Sequence, residues 1–368
     1  MLRVLQIVSV MNRGGLETRL MDIFRNIDRS QIIFDFYTNS LEKGEYDKEI
    51  EELGGIVYKS SPLNIFSLKS KEEEFKSFCI SHPEYCIVHS HVNEWSTIFC
   101  KAAEKAHLKI RIAHSRGANT TVSVKWLIKQ ILKKNICKYA THYFAVSEIA
   151  AKYLFGNKIV DSGKVYIVPN AIDCNTYKYN SAMREKKRSE LGINKNMTFI
   201  HVGNFTEAKN HPFLIDVFAE ESKIHNDAIL LLAGDGDNSN IIKMVKQKGI
   251  EDKVFFLGKR TDVNGLLFAA DCFLFPSKHE GFPGAVLEAE TSGLICLISD
   301  RITPEVKLSN QVIMLPLIKR KWVDEIERQI HRIEHYDRNG KNEIVVRAGY
   351  DIRDVCLFYL NFYMECME

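Results

Sequence analysis

No apolar run in this 368-residue chain approaches the roughly 20 residues needed to cross a bilayer. The apolar opening, 2–10, is short and gives way at once to Asn12-Arg13-Gly14-Gly15, so no cleavable leader is expected. The nine cysteines show no CxxC pair and no repeated spacing, which leaves neither a disulfide framework nor a zinc pattern. Net charge is only +3, too small to argue for nucleic acid. The expected protein is reduced, globular and cytoplasmic, with free thiols. Hydrophobic residues at 45% and charged residues at 26% fit that class, and the length suggests two or three domains.

Apolar runs alternate with helical patterns from the start. Leu2 to Val10 reads as a buried parallel strand, Gly14-Gly15 as a turn, and 16–27 as a helix with apolar positions at helical spacing. Strand, glycine turn, helix opens a doubly wound sheet, although the turn is not GxGxxG. Further strands are expected at 32–37, 56–59, 86–89, 110–113 and 142–147. Ligands of such sheets gather beyond the carboxyl ends of the strands. His91, Asn93, His114 and Arg116 emerge there, with His89 and His91 expected to be structural. A second set of strands begins at 198–203 and continues at 228–233, 254–258, 272–275 and 295–300. The basic patch 184–188 before it reads as a solvated helix face.

The most informative stretch is Pro276-Ser277-Lys278-His279-Glu280-Gly281-Phe282-Pro283-Gly284-Ala285-Val286-Leu287-Glu288-Ala289. A buried strand leads into it and a helix over 285–291 leaves it, with Pro283 suited to the first turn. A helix start with free N–H groups attracts anions, phosphate above all. Glu280 and Glu288 flank it, and carboxylates accept hydrogen bonds from paired hydroxyls. Amides for phosphate between two acids for hydroxyls suit a sugar nucleotide.

Glu280 and Glu288, set in Ser-x-x-Glu-Gly-Phe-Pro and followed by Glu-Ala-x-x-Ser-Gly, resemble the signature of retaining GT-B glycosyltransferases of family 4, in the branch that builds bacterial capsule and exopolysaccharide. The resemblance runs the length of the chain. It implies an α/β fold of two Rossmann-like, doubly wound domains facing a central cleft. An acceptor domain would occupy 1–170, capped by a C-terminal helix at about 344–368, and a nucleotide-sugar domain 171–343. Val165-Tyr166-Ile167-Val168-Pro169-Asn170-Ala171-Ile172-Asp173 resembles the family's Val-x-Pro-Asn-Gly-x-Asp crossing segment, with Ala171 in place of the usual glycine.

The resemblance also implies roles. Gly14 and Gly15 would close over the donor, and His114 would contact its sugar. Lys209 would face the diphosphate, whereas Asn204 stands where the family has an arginine, and an amide cannot offset a phosphate's charge. Arg260 or Arg13 would then assist. Lys259 and Arg260 would meet the base, and Glu288 the ribose hydroxyls. Glu280, Gly281 and Phe282 would hold the sugar, with Pro283 and Gly284 shaping the loop and the amides near Ala285 and Val286 taking the leaving group. His114, Lys209 and Glu280 form the expected catalytic set; Asn93 and Arg116 are acceptor-side candidates. No cofactor and no metal are expected, and Asp235-Gly236-Asp237 is read without one. The implied reaction moves a sugar from a nucleotide sugar, UDP ahead of GDP, to a hydroxyl of a glycan, lipid-linked in capsule, exopolysaccharide or O-antigen assembly. An epimerase or hydrolase of similar architecture and an inactive sugar-nucleotide binder stay open as alternatives.

The helix at 124–138 has no acidic residue. Leu127, Ile128, Ile131, Leu132 and Ile136 form one stripe, with Lys125, Lys129, Lys133, Lys134 and Lys138 largely away from it. This is either a surface helix packed on the sheet or a contact with the anionic inner face of the cell membrane.

Overall fold

The computed structural model describes residues 1–117, 124–193, 195–280 and 282–368. The chain divides into two compact units, residues 1–171 with 352–368, and residues 172–351.

The first unit is a seven-stranded, all-parallel sheet. Its strands are β1 (Leu2–Val8), β2 (Ile32–Thr38), β3 (Val57–Lys59), β4 (Ile87–Ser90), β5 (Ile110–Ser115), β6 (His142–Ala145) and β7 (Val165–Ile167), in the spatial order β3-β2-β1-β4-β5-β6-β7. The helices between them are α1 (Gly15–Asn26), α2 (Asp47–Glu52), α3 (Leu68–Ser81), α4 (Ser96–Lys105), α5 (Val124–Tyr139), α6 (Glu148–Phe155) and α7 (Asn157–Asp161). Strand order reverses between β1 and β4, where the crossovers part and leave the strand ends open. Both sheet faces are covered, so the strands are apolar in both phases: Val4 and Val8 enter one core cluster, Leu5 and Ile7 another.

The second unit repeats the plan with six parallel strands. They are β8 (Thr198–Val202), β9 (Ile229–Ala233), β10 (Val254–Gly258), β11 (Cys272–Phe275), β12 (Ile295–Ser299) and β13 (Val312–Leu315), in the order β10-β9-β8-β11-β12-β13, reversing between β8 and β11. Its helices are α8 (Ser181–Leu191), α9 (His211–Ile224), α10 (Ser239–Gln247), α11 (Val263–Ala269), α12 (Gly284–Thr291), α13 (Lys319–Glu334) and α14 (Asn342–Arg347). Phe273, Phe275, Cys296 and Ile298 fill one core, and Cys272, Leu274, Ile295 and Leu297 the opposite one.

The single closing helix expected at about 344–368 is two helices. α14 belongs to the second unit, Gly349 turns with φ +81°, and α15 (Ile352–Glu365) returns to the first. Aromatic packing fixes that return: Tyr359 stacks on Phe144, Phe362 meets it edge-on at 4.9 Å, and Tyr363 meets Phe34 edge-on.

Two surface expectations are corrected. Arg184 and Arg188 are not a solvated face. Arg184 donates to the carbonyls of Phe268, Ala269 and Ala270, Arg188 donates to that of Ala269, and both pair with Asp271. The last carbonyls of α11 lack intrahelical partners and carry partial negative charge, which draws the guanidinium groups inward. On α5 the apolar stripe is split: Ile136 is buried, but Leu127 and Ile131 are 62% and 56% exposed. No helix among the described residues is long and apolar enough to cross a membrane. Among the described residues the cysteines form no disulfide.

Candidate active site

In the second unit the loops leaving β8 and β11, at the reversal of strand order, are tied together. Lys278 N–H donates to the Ala208 carbonyl at 2.7 Å, and Asn210 Nδ2 donates to the Pro276 carbonyl at 3.1 Å. Asn210 adopts φ 58°, which turns the first loop into α9. Lys209 Nζ therefore sits 2.7 Å from Glu280 Oε1 and 4.7 Å from the Phe275 ring centroid, with both charged side chains mostly buried. Gly203 makes room for this lysine, since a Cβ there would lie 3.1 Å from Lys209 Cδ and Cε. Asn204 is engaged elsewhere: its Oδ1 accepts from Asp235 N–H at 3.1 Å.

Past Glu280, Phe282 is buried and stacks on Tyr350 at 5.2 Å. Gly281 lies outside the described residues. Pro283 caps α12, and Val286 N–H already donates to the Pro283 carbonyl at 3.1 Å. The amides ahead of the first intrahelical bond are those of Gly284 and Ala285, one position earlier than expected. Glu288, 7% exposed, lies in the second turn of α12. Ser277 Oγ at the end of β11 is buried without a hydrogen-bond partner. Arg260 forms a bidentate pair with Asp262, both bonds 2.8 Å, close to Lys259 in the chain.

In the first unit, Gly14 caps α1 and Gly15 opens it. A Cβ on Gly14 would strike the Glu17 carboxylate at 2.3 Å, whereas one on Gly15 would meet nothing within 4 Å. Burial pushes the Glu17 carboxyl up, and the Arg116 cation opposes that rise. Asn93 and Arg116 meet directly: Asn93, at φ 49°, accepts the Arg116 N–H on Oδ1 at 2.8 Å. The Arg116 guanidinium is spent internally, on His91 Nδ1 at 2.9 and 3.1 Å and on Asn170 Oδ1 at 3.3 Å. Arg13 lies 3.8 Å from Glu45. His114 is fully buried, with Nδ1 3.0 Å from His89 Nε2 and its own Nε2 unpartnered.

Gln6 and Tyr363 join this cluster without having been singled out in the sequence, and so does Asn170, marked there only as part of the crossing segment. The available signal was Gln6, a lone amide in the otherwise apolar run Val4–Val8. The three histidine rings bring nitrogen atoms within 4.8 Å of one another, a spacing that could hold a metal ion. The Arg116 cation bonded directly to His91 argues against a second cation there.

Two family descriptions match the chain, "Glycosyl transferases group 1" over residues 183–346 and "Glycosyltransferase Family 4" over residues 13–176. The chain is 29% identical over 369 residues to the putative glycosyltransferase EpsF of Bacillus subtilis, covering 98% of this chain and 96% of that protein. It is 26% identical over 356 residues to the capsular polysaccharide biosynthesis glycosyltransferase CapH of Staphylococcus aureus, covering 93% and 94%. In structure it is similar to Anabaena Alr3699/HepE, solved in complex with UDP, with TM-score 0.80, 18% identity, and coverage of 99% and 100%.

Proposed function

The chain belongs to glycosyltransferase family 4 and is a glycosyltransferase of GT-B type, and from this premise we propose that it transfers a sugar from a UDP-sugar to a hydroxyl of a lipid-linked glycan, with retention at the anomeric carbon, in capsule, exopolysaccharide or O-antigen assembly. The observation that carries the reading is the Lys209–Glu280 pair at the β8/β11 reversal, two residues ahead of the Phe282-Pro283 start of α12.

Lys209 turns from Glu280 to the donor's diphosphate, and the amides of Gly284 and Ala285 take the phosphate oxygens. Glu280, released from the lysine, accepts hydrogen bonds from sugar hydroxyls, and Glu288 accepts those of the ribose. As the anomeric bond breaks, negative charge grows on the departing diphosphate, and fixed donors aimed at it lower the barrier. Asn204, held by the Asp235 amide, adds no charge, so Lys209 carries the cationic share and the reading requires no metal. The acceptor hydroxyl attacks the face from which the diphosphate leaves, where a leaving oxygen is at hand to take its proton. An acceptor in a membrane suits α5, where exposed Leu127 and Ile131 lie beside Lys134 and Lys138.

The test is thermal-shift screening against a panel of nucleotide sugars, then transfer to lipid-linked acceptors. UDP-sugars are expected to stabilise the protein, and UDP release is expected to depend on acceptor. Release of UDP at the same rate with and without acceptor would point to a hydrolase and reject the reading.

A further inference from the structure

In the first unit the half-buried Arg116 and five buried side chains form one chain of hydrogen bonds whose direction is set at one end. Arginine has only donors, and the Arg116 guanidinium places two of them on His91 Nδ1. That nitrogen is therefore a lone pair, and the neutral His91 ring carries its proton on Nε2. The Nε2–H donates to Gln6 Oε1 at 2.7 Å. The Gln6 amide thus presents its NH2 group on the opposite side, where it donates to the Tyr363 hydroxyl at 3.5 Å. Tyr363 is fully buried, and its proton has one acceptor in reach, His89 Nδ1 at 2.6 Å. His89 must then be protonated on Nε2, which donates to His114 Nδ1 at 3.0 Å. With Nδ1 accepting, the His114 proton lies on Nε2, the one atom of this hydrogen-bonded series with no partner among the described residues.

We propose that Gln6 and Tyr363 are positioning residues which, starting from Arg116, fix His114 as the Nε2–H tautomer, a neutral donor presented to a hydroxyl oxygen of the transferred sugar. The proposal rests on the reading of His114 as the residue that meets the donor sugar. All three rings are kept neutral, because burial and the Arg116 cation both hold their pKa values well below the ordinary imidazole value. A buried N–H without an acceptor is costly, and such a group persists where a ligand or water completes it. The last helix of the chain, α15, carries Tyr363 and so reaches the chemistry through two histidines.

The experiment is long-range proton–nitrogen NMR on the full-length protein with 15N-labelled histidine, His114 being assigned by its disappearance in His114→Gln. Protonated Nε2 and lone-pair Nδ1 on His114 are expected; the Nδ1–H tautomer or an imidazolium would overturn the proposal, and this spectrum needs no activity. In Tyr363→Phe the His89 Nδ1 loses its donor, so the Nδ1–H form of His114 is expected to appear while kcat falls about tenfold or more. An unchanged His114 signal in that variant also overturns the proposal. Wild-type turnover by His114→Gln, with the wild-type tautomer as expected, would instead remove the ring from the sugar site and leave the relay standing.

Discussion

Lys209 holds the residue-scale argument because its charge has two claimants. Without a nucleotide it pairs with Glu280 at 2.7 Å, both side chains retaining about a fifth of their exposure or less. On the proposed reading, a diphosphate, which carries more negative charge than one carboxylate, draws the lysine across. Lys209→Ala is therefore expected to lower kcat by about 10²–10³-fold, as loss of one fixed donor to a growing anion does. Unfolding free energy should fall by about 1–3 kcal/mol, because truncating one partner leaves the mostly buried Glu280 carboxylate without its cation. Steady-state kinetics beside a urea melt check both halves, and near-normal turnover would take Lys209 out of the site. Glu221 on α9 shows the opposite use of a charged residue. Its side chain has no exposure and neither oxygen has a hydrogen-bond partner. Burial, with Glu327 beside it, pushes its carboxyl up to about 8. A raised carboxyl pKa means that the folded state binds more protons than the unfolded state between about pH 4.5 and 8. Stability from this group therefore falls as pH rises through that window. A tenfold change in proton affinity is worth about 1.4 kcal/mol, so Glu221→Gln should gain on the order of 2–4 kcal/mol at pH 8 and little at pH 4.5. Urea melts of the two proteins at both pH values would show it, and an equal difference at both would contradict the buried-acid account.

At the scale of elements, the site depends on how closely the ends of β8 and β9 approach. A Cβ on Gly234 would sit 2.0 Å from the Gly203 carbonyl oxygen and 3.0 Å from Asn204 N. These are backbone atoms and cannot swing aside. Gly234→Ala should cost about 1–3 kcal/mol through overpacking and move the loop that carries Lys209. The expected result is a lower melting temperature together with a raised donor KM; a normal KM in a folded variant would separate the loop from the donor. The strands were legible because a sheet covered on both faces demands near-continuous apolar runs, as in Leu2–Val8 and Cys272–Phe275. α10 was not, because its nine residues bury only Ile241 and Val245, one turn apart. β13 was missed for a similar reason: four residues, Val312–Leu315, at the edge of the sheet. The inward arginines could not be read from local sequence, since Arg184 and Arg188 bond to carbonyls more than 80 positions later. Arg338 joins them on the Phe268 and Ala270 carbonyls, and burial brings its pKa down to about 9. At the site, the Lys209 and Glu280 motifs were visible in sequence, but the partner of the Asn204 amide, Asp235 N–H, lies 31 positions later, and the Val286–Pro283 bond is backbone geometry that residue identity does not encode.

For the whole molecule, the decisive feature is that each unit has its own sheet and its own core, while the chain passes between them at 171–172 and 351–352. Surface chemistry is divided as well. α5 of the first unit exposes Leu127, Ile131, Lys134 and Lys138, so the protein should float with anionic vesicles, and Lys134→Glu/Lys138→Glu should abolish flotation; equal binding to neutral vesicles would reject the electrostatic mode. The proposed nucleotide contacts, by contrast, gather in the second unit: Lys209, Glu280, the start of α12 and Glu288. A ligand stabilises what it binds by mass action, by about 2.7 kcal/mol at 100 times its Kd. UDP should therefore raise the unfolding transition of residues 172–351 directly. Tryptophan separates the two units cleanly, because Trp322 is buried in the second, and Trp95 and Trp126 lie in the first. In a Trp95→Phe/Trp126→Phe protein the fluorescence reports the second unit alone, and its urea midpoint should rise with UDP. In Trp322→Phe the remaining signal should move less. The reverse pattern, with the larger shift in the Trp95 and Trp126 signal, would place the nucleotide in the first unit and overturn the assignment of donor binding to the Lys209 loop.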